Sequence, residues 1–129
     1  MTSSIETLMI RNLHEVFGER DPARRWAAIE AIFASDCLFS DPEGRHLGRR
    51  ALEEAVVTLQ ARFPGHVFSQ IGGVDALQDS GRLAWAFGPP HEARRITGLD
   101  VVVVSAGRIA ALYTFLDRAI METENEPSA

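Results

Sequence analysis

At Pro64-Gly65 the apolar residues of this chain change period, from helical spacing before that point to strand-like alternation after it. Few folds suit 129 residues arranged that way. Ser3 with Glu6 offers a capping box, and Ile5, Leu8, Met9, Val16 and Phe17 follow as a helical stripe. Asp21-Pro22 opens a second helix, with Asp as N-cap and Pro at the first helical position. Trp26, Ile29, Ile32 and Phe33 form its buried side, and it ends near Ser35-Asp36. Cys37 to Ser40 reads as a short strand, stopped by the turn sequence Asp41-Pro42-Glu43-Gly44. From Arg49, Leu52, Ala55, Val56, Leu59 and Phe63 mark one face of a third helix.

After Gly65 the chain reads as strands. Val67, Phe68, Ile71 and Val74 lie in a stretch that Gly72-Gly73 interrupts, where a bulge would bend a sheet around a core. Leu83, Trp85 and Phe87 alternate with smaller residues and share one face. A strand from about Arg94 to Val104 and another from Arg108 to Asp117 complete the set, and strict alternation puts Ile109, Ala111, Tyr113, Phe115 and Asp117 together. Helices gathered on one face of a curled antiparallel sheet make an α+β domain, cone-shaped, with about three helices. Such a cone encloses a cavity. One domain is expected over residues 1–120, with an acidic, mobile tail over 121–129.

Composition narrows the functional classes. With 46% hydrophobic and 24% charged residues the chain is that of a globular protein, and no apolar run approaches the length of a membrane span. A net charge of −5 argues against nucleic acid as a partner, and no membrane association is expected. The N-terminal stretch lacks a basic start and apolar core, and the lone Cys37 has no partner for an internal disulfide, so a cytoplasmic home is expected. His14, His46, His66 and His91 are scattered without ligand spacing, so no metal site is expected. No phosphate loop or nucleophile motif is visible, and any chemistry would proceed without a cofactor.

Two carboxylates stand out. Asp100 opens the run Val101 to Val104, and Asp41 ends the short strand. Two acids facing one apolar interior suit proton transfer, because burial moves carboxyl pKa values apart. Parity groups Asp100 with Gly98, Val102 and Val104 but leaves both faces apolar, so an outward Asp100 is the competing reading. Asp41 has its own alternative, since Asp before Pro commonly builds an Asx-turn.

Phe33-Ala34-Ser35-Asp36 leading to Phe39-Ser40-Asp41-Pro42, Gly48 ahead of helix three, and the closing Gly107 to Tyr113 together resemble the nuclear-transport-factor-2-like superfamily. That group includes ketosteroid isomerases, SnoaL-type polyketide cyclases and limonene epoxide hydrolase. In the isomerases an aspartate in the Asp41 position shuttles a proton, and a second, in the Asp100 position, stays protonated and donates to the substrate oxygen; that pair is a known example of pKa tuning. In the cyclases the late-strand acid is the general acid/base, which again selects Asp100. The isomerases' helix-one tyrosine is missing, and His14 or Phe17 stands near its place. The epoxide hydrolase pattern fails, since Gly98 occupies the position of its arginine.

The resemblance implies a small hydrophobic, carbonyl-bearing ligand, with Asp41 and Asp100 as catalytic acids. Trp85, Phe87, Tyr113 and Phe115, with His14 or Phe17, are the expected ligand-lining residues. The alternative is a non-catalytic ligand-binding or dimerisation module. A homodimer through the outer face of the sheet is expected in either case.

Overall fold

The computed structural model describes residues 4–117. Ser3, half of the expected capping box, and the expected tail over 121–129 lie outside the described residues. Ser4 caps helix α1 (Ile5–Arg11) instead, its side chain accepting from the Thr7 backbone N–H. The helix continues as a wider π-type turn over Asn12–Phe17. The reason is legible in the burial: Leu8 and Met9, Asn12 and Leu13, then Val16 and Phe17 are all buried, a repeat of four that a regular α-helix would rotate off the core.

Asp21 caps α2 (Pro22–Ile32), accepting from the Arg24 N–H. The buried stripe of α2 is Arg25, Ala28, Ile29 and Ile32, and Trp26, expected in the core, is only half-buried under the Arg50 guanidinium. Arg25 has the correct helical phase and Trp26 is one residue off it. The chain turns extended at Phe33, earlier than expected, and β1 (Phe33–Asp41) takes in Ser35-Asp36.

The turn after Asp41 leads into a strand that its short, polar sequence conceals, β2 (Gly44–Leu47), antiparallel to β1. Helix α3 (Arg49–Arg62) follows as expected. The remaining strands are β3 (Val67–Leu77), β4 (Ser80–Gly88), β5 (Ile96–Ser105) and β6 (Arg108–Leu116).

Together the strands form one six-stranded sheet in the order β2-β1-β6-β5-β4-β3. It is mixed, because β1 joins β6 in parallel while every other pair is antiparallel. The three helices gather on one face, α1 against β3 and β4 and α3 against β1 and β2, and the shared core includes Leu8, Leu13, Ile29, Phe33, Leu52, Val56 and Val102. The α+β architecture is therefore as expected, with one more strand, β2, than the sequence suggested and with one parallel pairing in the sheet.

Two irregularities shape the concave face. The β3–β4 register shifts between Ile71 and Asp75, around Gly72 in the left-handed region at φ 73°. The β5–β6 register shifts as well: Val104 pairs with Ile109 but Val103 pairs with Ala111, so Ala110 is an extra residue. Beyond it the alternation of β6 inverts, and Leu112 and Thr114 face the side that Ile109 faces.

Candidate functional site

Between the helices and the concave face of the sheet lies a cavity of about 390 Å³. The end of helix one supplies Leu13 and Phe17, α3 supplies Leu59, Arg62 and the adjoining Phe63, and the sheet supplies Phe39, Phe68, Trp85, Phe87, Ile96 and Leu116. Its aromatic residues form one connected wall. Phe17 meets Phe39 edge-on at 5.4 Å, Phe68 lies stacked on Phe87 at 4.0 Å and edge-on to Trp85 at 5.6 Å, and Phe63 meets Phe87 at 5.7 Å. Rings already locked against each other leave a preformed slot rather than a collapsible core.

Asp100 is set into this wall. The inward face of β5 carries Ile96, Gly98, Asp100 and Val102, so the outward reading of Asp100 is excluded; only 5% of the residue is exposed. Its Oδ1 accepts from the Trp85 indole N–H at 3.0 Å and from the Thr114 hydroxyl at 2.8 Å, while Oδ2 takes neither bond. Burial pushes its carboxyl pKa up to about 6, against the opposing pull of the Thr114 and Trp85 hydrogen bonds. Gly98 makes the geometry possible. A Cβ there would lie 2.4 Å from the Trp85 ring and 2.4 Å from the Phe115 carbonyl oxygen, so only glycine lets the indole lie across β5 toward Asp100.

Asp41 shares the parity of Cys37 and Phe39 on β1 and lines the same cavity, at its mouth. Its Oδ1 accepts from the N–H groups of Glu43 and Gly44 at 3.0 and 3.2 Å and lies 3.3 Å from His46 Nε2. That is the Asx-turn geometry. Its Oδ2 takes none of these bonds. Beside it, Arg62 and Glu43 form an ion pair at 2.7 Å.

The structure gathers Asp41, Asp100, Phe17, Trp85 and Phe87 at one cavity and separates three other residues from it. His14 is exposed on helix one, and Leu13 with Phe17 forms the wall there. Tyr113 and Phe115 stand on the opposite, outer face of the sheet, 36% and 56% exposed. Their displacement follows from the Ala110 bulge, which inverts the parity on which they were grouped with Ile109. The same bulge brings Thr114 inward, directly opposite Asp100 in the β5–β6 register. Sequence reasoning missed Thr114 for that reason. Phe39 and Phe68 were within reach, each the bulky member of an alternating strand.

Among the described residues no three His, Cys, Asp or Glu side chains converge as a metal centre would need, and no helix is long and apolar enough to cross a membrane. A family model for the SnoaL-like domain matches residues 10–112. The chain belongs to the SnoaL-like domain family.

The solved structures agree with that membership. One similar to this SnoaL-like domain is a protein from Agrobacterium tumefaciens, provisionally described as an isomerase of the SnoaL-like family. It is 26% identical, with a TM-score of 0.80 over 86% of this chain and 95% of its own. A protein from Kribbella flavida, provisionally described as a ketosteroid isomerase, is 19% identical with a TM-score of 0.68, covering 96% of this chain and 82% of its own. A SnoaL-like protein from Jannaschia, provisionally described as a polyketide cyclase, is 12% identical with a TM-score of 0.73, covering 98% of this chain and 99% of its own. At these last identities the likeness concerns the fold alone. No functionally curated protein matches this SnoaL-like domain.

Proposed function

We propose that this SnoaL-like domain binds a small apolar, carbonyl-bearing molecule in its cavity and moves a proton on the carbon beside that carbonyl, with Asp100 as the acid/base and no cofactor. The observation that carries the reading is a single buried carboxyl group, raised to about 6, with one oxygen tied to Trp85 and Thr114 and the other unbonded at the wall of an aromatic cavity. A general base works best when its pKa lies near the working pH. At neutral pH Asp100 is mostly ionised and takes the proton on its unbonded oxygen; once protonated, it returns that proton elsewhere on the same substrate. Trp85 and Thr114 hold its plane through the cycle.

Asp41 lining the same cavity favours a second reading, in which it is the base and Asp100 the protonated donor. Its oxygen Oδ1 is committed to the turn, which leaves Oδ2 for that role. The two readings, and a binding module without turnover, separate in one experiment. Enone and cyclic ketone probes would be screened for proton exchange with deuterated water by NMR. Loss of about 10² to 10⁴ in exchange rate in Asp100→Asn, with probe binding retained and Asp41→Asn close to wild type, supports the Asp100 reading. The reverse order transfers the base to Asp41. Probe binding without exchange in the wild type leaves a binding module.

A further inference from the structure

The proposed proton transfer creates a charge that some donor must meet. When Asp100 Oδ2 takes a proton from the carbon beside a carbonyl, the C–H electron pair moves into the C–C bond and the carbonyl π pair moves onto oxygen. The negative charge leaves the carboxylate and reappears on that oxygen. Hydrogen-bond donors already aimed at such an oxygen stabilise it. Asp41, Glu43, Arg62, Trp85, Asp100 and Thr114 are the polar residues of the cavity lining, so the donor can be sought by elimination.

Ionised carboxylates only accept. The Trp85 indole has one N–H and the Thr114 hydroxyl one O–H, and both are spent on Asp100 Oδ1, at 3.0 and 2.8 Å. Backbone donors at the mouth are committed as well: the N–H groups of Glu43 and Gly44 donate to Asp41, and that of Phe63 to the Leu59 carbonyl. Arg62 differs. A guanidinium carries five N–H groups, and here Nη1 donates to Glu43 Oε1 at 2.7 Å while Nε and Nη2 bond to no group among the described residues. The guanidinium is held from two sides, by Glu43 on the β1–β2 turn and by the Phe63 ring, whose centroid lies 5.6 Å from its central carbon. Phe63 is itself part of the aromatic wall. The Arg62 side chain is 57% exposed, so water reaches it, and its contribution belongs at the lower end of what one such donor supplies.

We infer that Arg62 is a catalytic residue of this site, donating N–H hydrogen bonds to the ligand's carbonyl oxygen while Asp100 exchanges a proton with the carbon beside it. The ligand thereby acquires a direction in the cavity, its acidic C–H toward β5 and its oxygen toward the end of α3. This inference rests on Asp100 being the base, as proposed above, and adds the group that meets the displaced charge.

1-Indanone and indane, one ring system with and without the carbonyl, test it on the full chain. Calorimetric titration at pH 7.5 should show the ketone binding about tenfold more tightly than the hydrocarbon in the wild type. Arg62→Met keeps the apolar stem and removes every donor, and it should abolish that preference; Arg62→Lys should restore part of it. Exchange of the 1-indanone protons beside the carbonyl with deuterated water, followed by NMR at saturating probe, should slow about 10² in Arg62→Met. Exchange that Asp100→Asn abolishes but Arg62→Met leaves unchanged overturns the Arg62 assignment and leaves the Asp100 reading standing. A ketone preference that survives in Arg62→Met and is lost in Thr114→Val places the oxygen at the inner end and overturns it too. Wild type that exchanges no faster than buffer overturns the proton-transfer reading and the catalytic role of Arg62 with it.

Discussion

Asp100 holds its proton in the folded protein over a pH range in which the unfolded chain has lost it, between 3.8 and about 6. In that window the native state binds more protons than the unfolded state, so stability falls as pH rises, and above it the native state carries a buried charge. The span is about two pH units, or about 3 kcal/mol. Asp100→Asn keeps an acceptor for Trp85 and Thr114 and removes the charge. Its unfolding free energy, measured by urea titration, should therefore gain on wild type by up to about 3 kcal/mol between pH 4 and pH 7.5; parallel pH profiles would refute the burial of an ionised group. Gly98 is the companion residue. Gly98→Ala forces a Cβ into the Trp85 ring and the Phe115 carbonyl, and overpacking of this kind costs typically about 1–3 kcal/mol. A lowered melting temperature together with a shifted Trp85 emission is the expected result, and an unchanged emission would show the indole does not depend on that space. A carboxylate before four valines made Asp100 conspicuous from sequence, yet alternation alone could not say which face the helices would cover.

Helix ends and strand irregularities decide where the walls stand. The carbonyls of Phe17 and Glu19, at the end of helix one, both accept from the Gln60 amide at 2.9 Å, and the Gln60 oxygen accepts from Arg25. Arg25, 2% exposed, also donates to the Glu19 carbonyl and pairs with Glu53 at 3.0 Å. Arg20 extends the network to the carbonyls of Phe63 and His66. Two cavity walls, Phe17 and Phe63, are thus tied to each other by polar bonds behind them. Gln60→Ala leaves buried partners unsatisfied and should cost about 1–3 kcal/mol in denaturant unfolding, with faster amide exchange at Phe17 to Glu19. Unaltered exchange there would release Gln60 from that role. No sequence pattern betrays this network, because most of its links join residues far apart in the chain, several through backbone carbonyls that every residue type shares. The Ala110 bulge was equally silent: it needs only one extra small residue, and its effect is to exchange Thr114 for Tyr113 and Phe115 at the cavity.

On the outer face of the whole sheet the displaced aromatics form rows. Leu99 pairs with Phe115, Val101 with Tyr113 and Val103 with Ala111, all directed away from the helices. A contiguous apolar strip of that kind is the signature of a partner surface. We propose that a second copy of the chain covers it. Light scattering at micromolar concentration should give twice the mass of one chain, and Phe115→Glu should return it to one; a wild-type monomer would remove the proposal. At this scale the division between sequence and tertiary structure is plain. Hydrophobic period, caps at Asp21 and Gly48 and turn residues at Gly44, Gly65 and Gly107 act locally, so the chain itself determined two helices, a short strand, a third helix and then a run of strands, with an acid placed ahead of four valines. Which acid oxygen is free and which aromatics face inward depend on strand register and on one bulge. Those are settled only when distant segments pack, because a shift of one residue exchanges the two faces of a strand without altering its pattern.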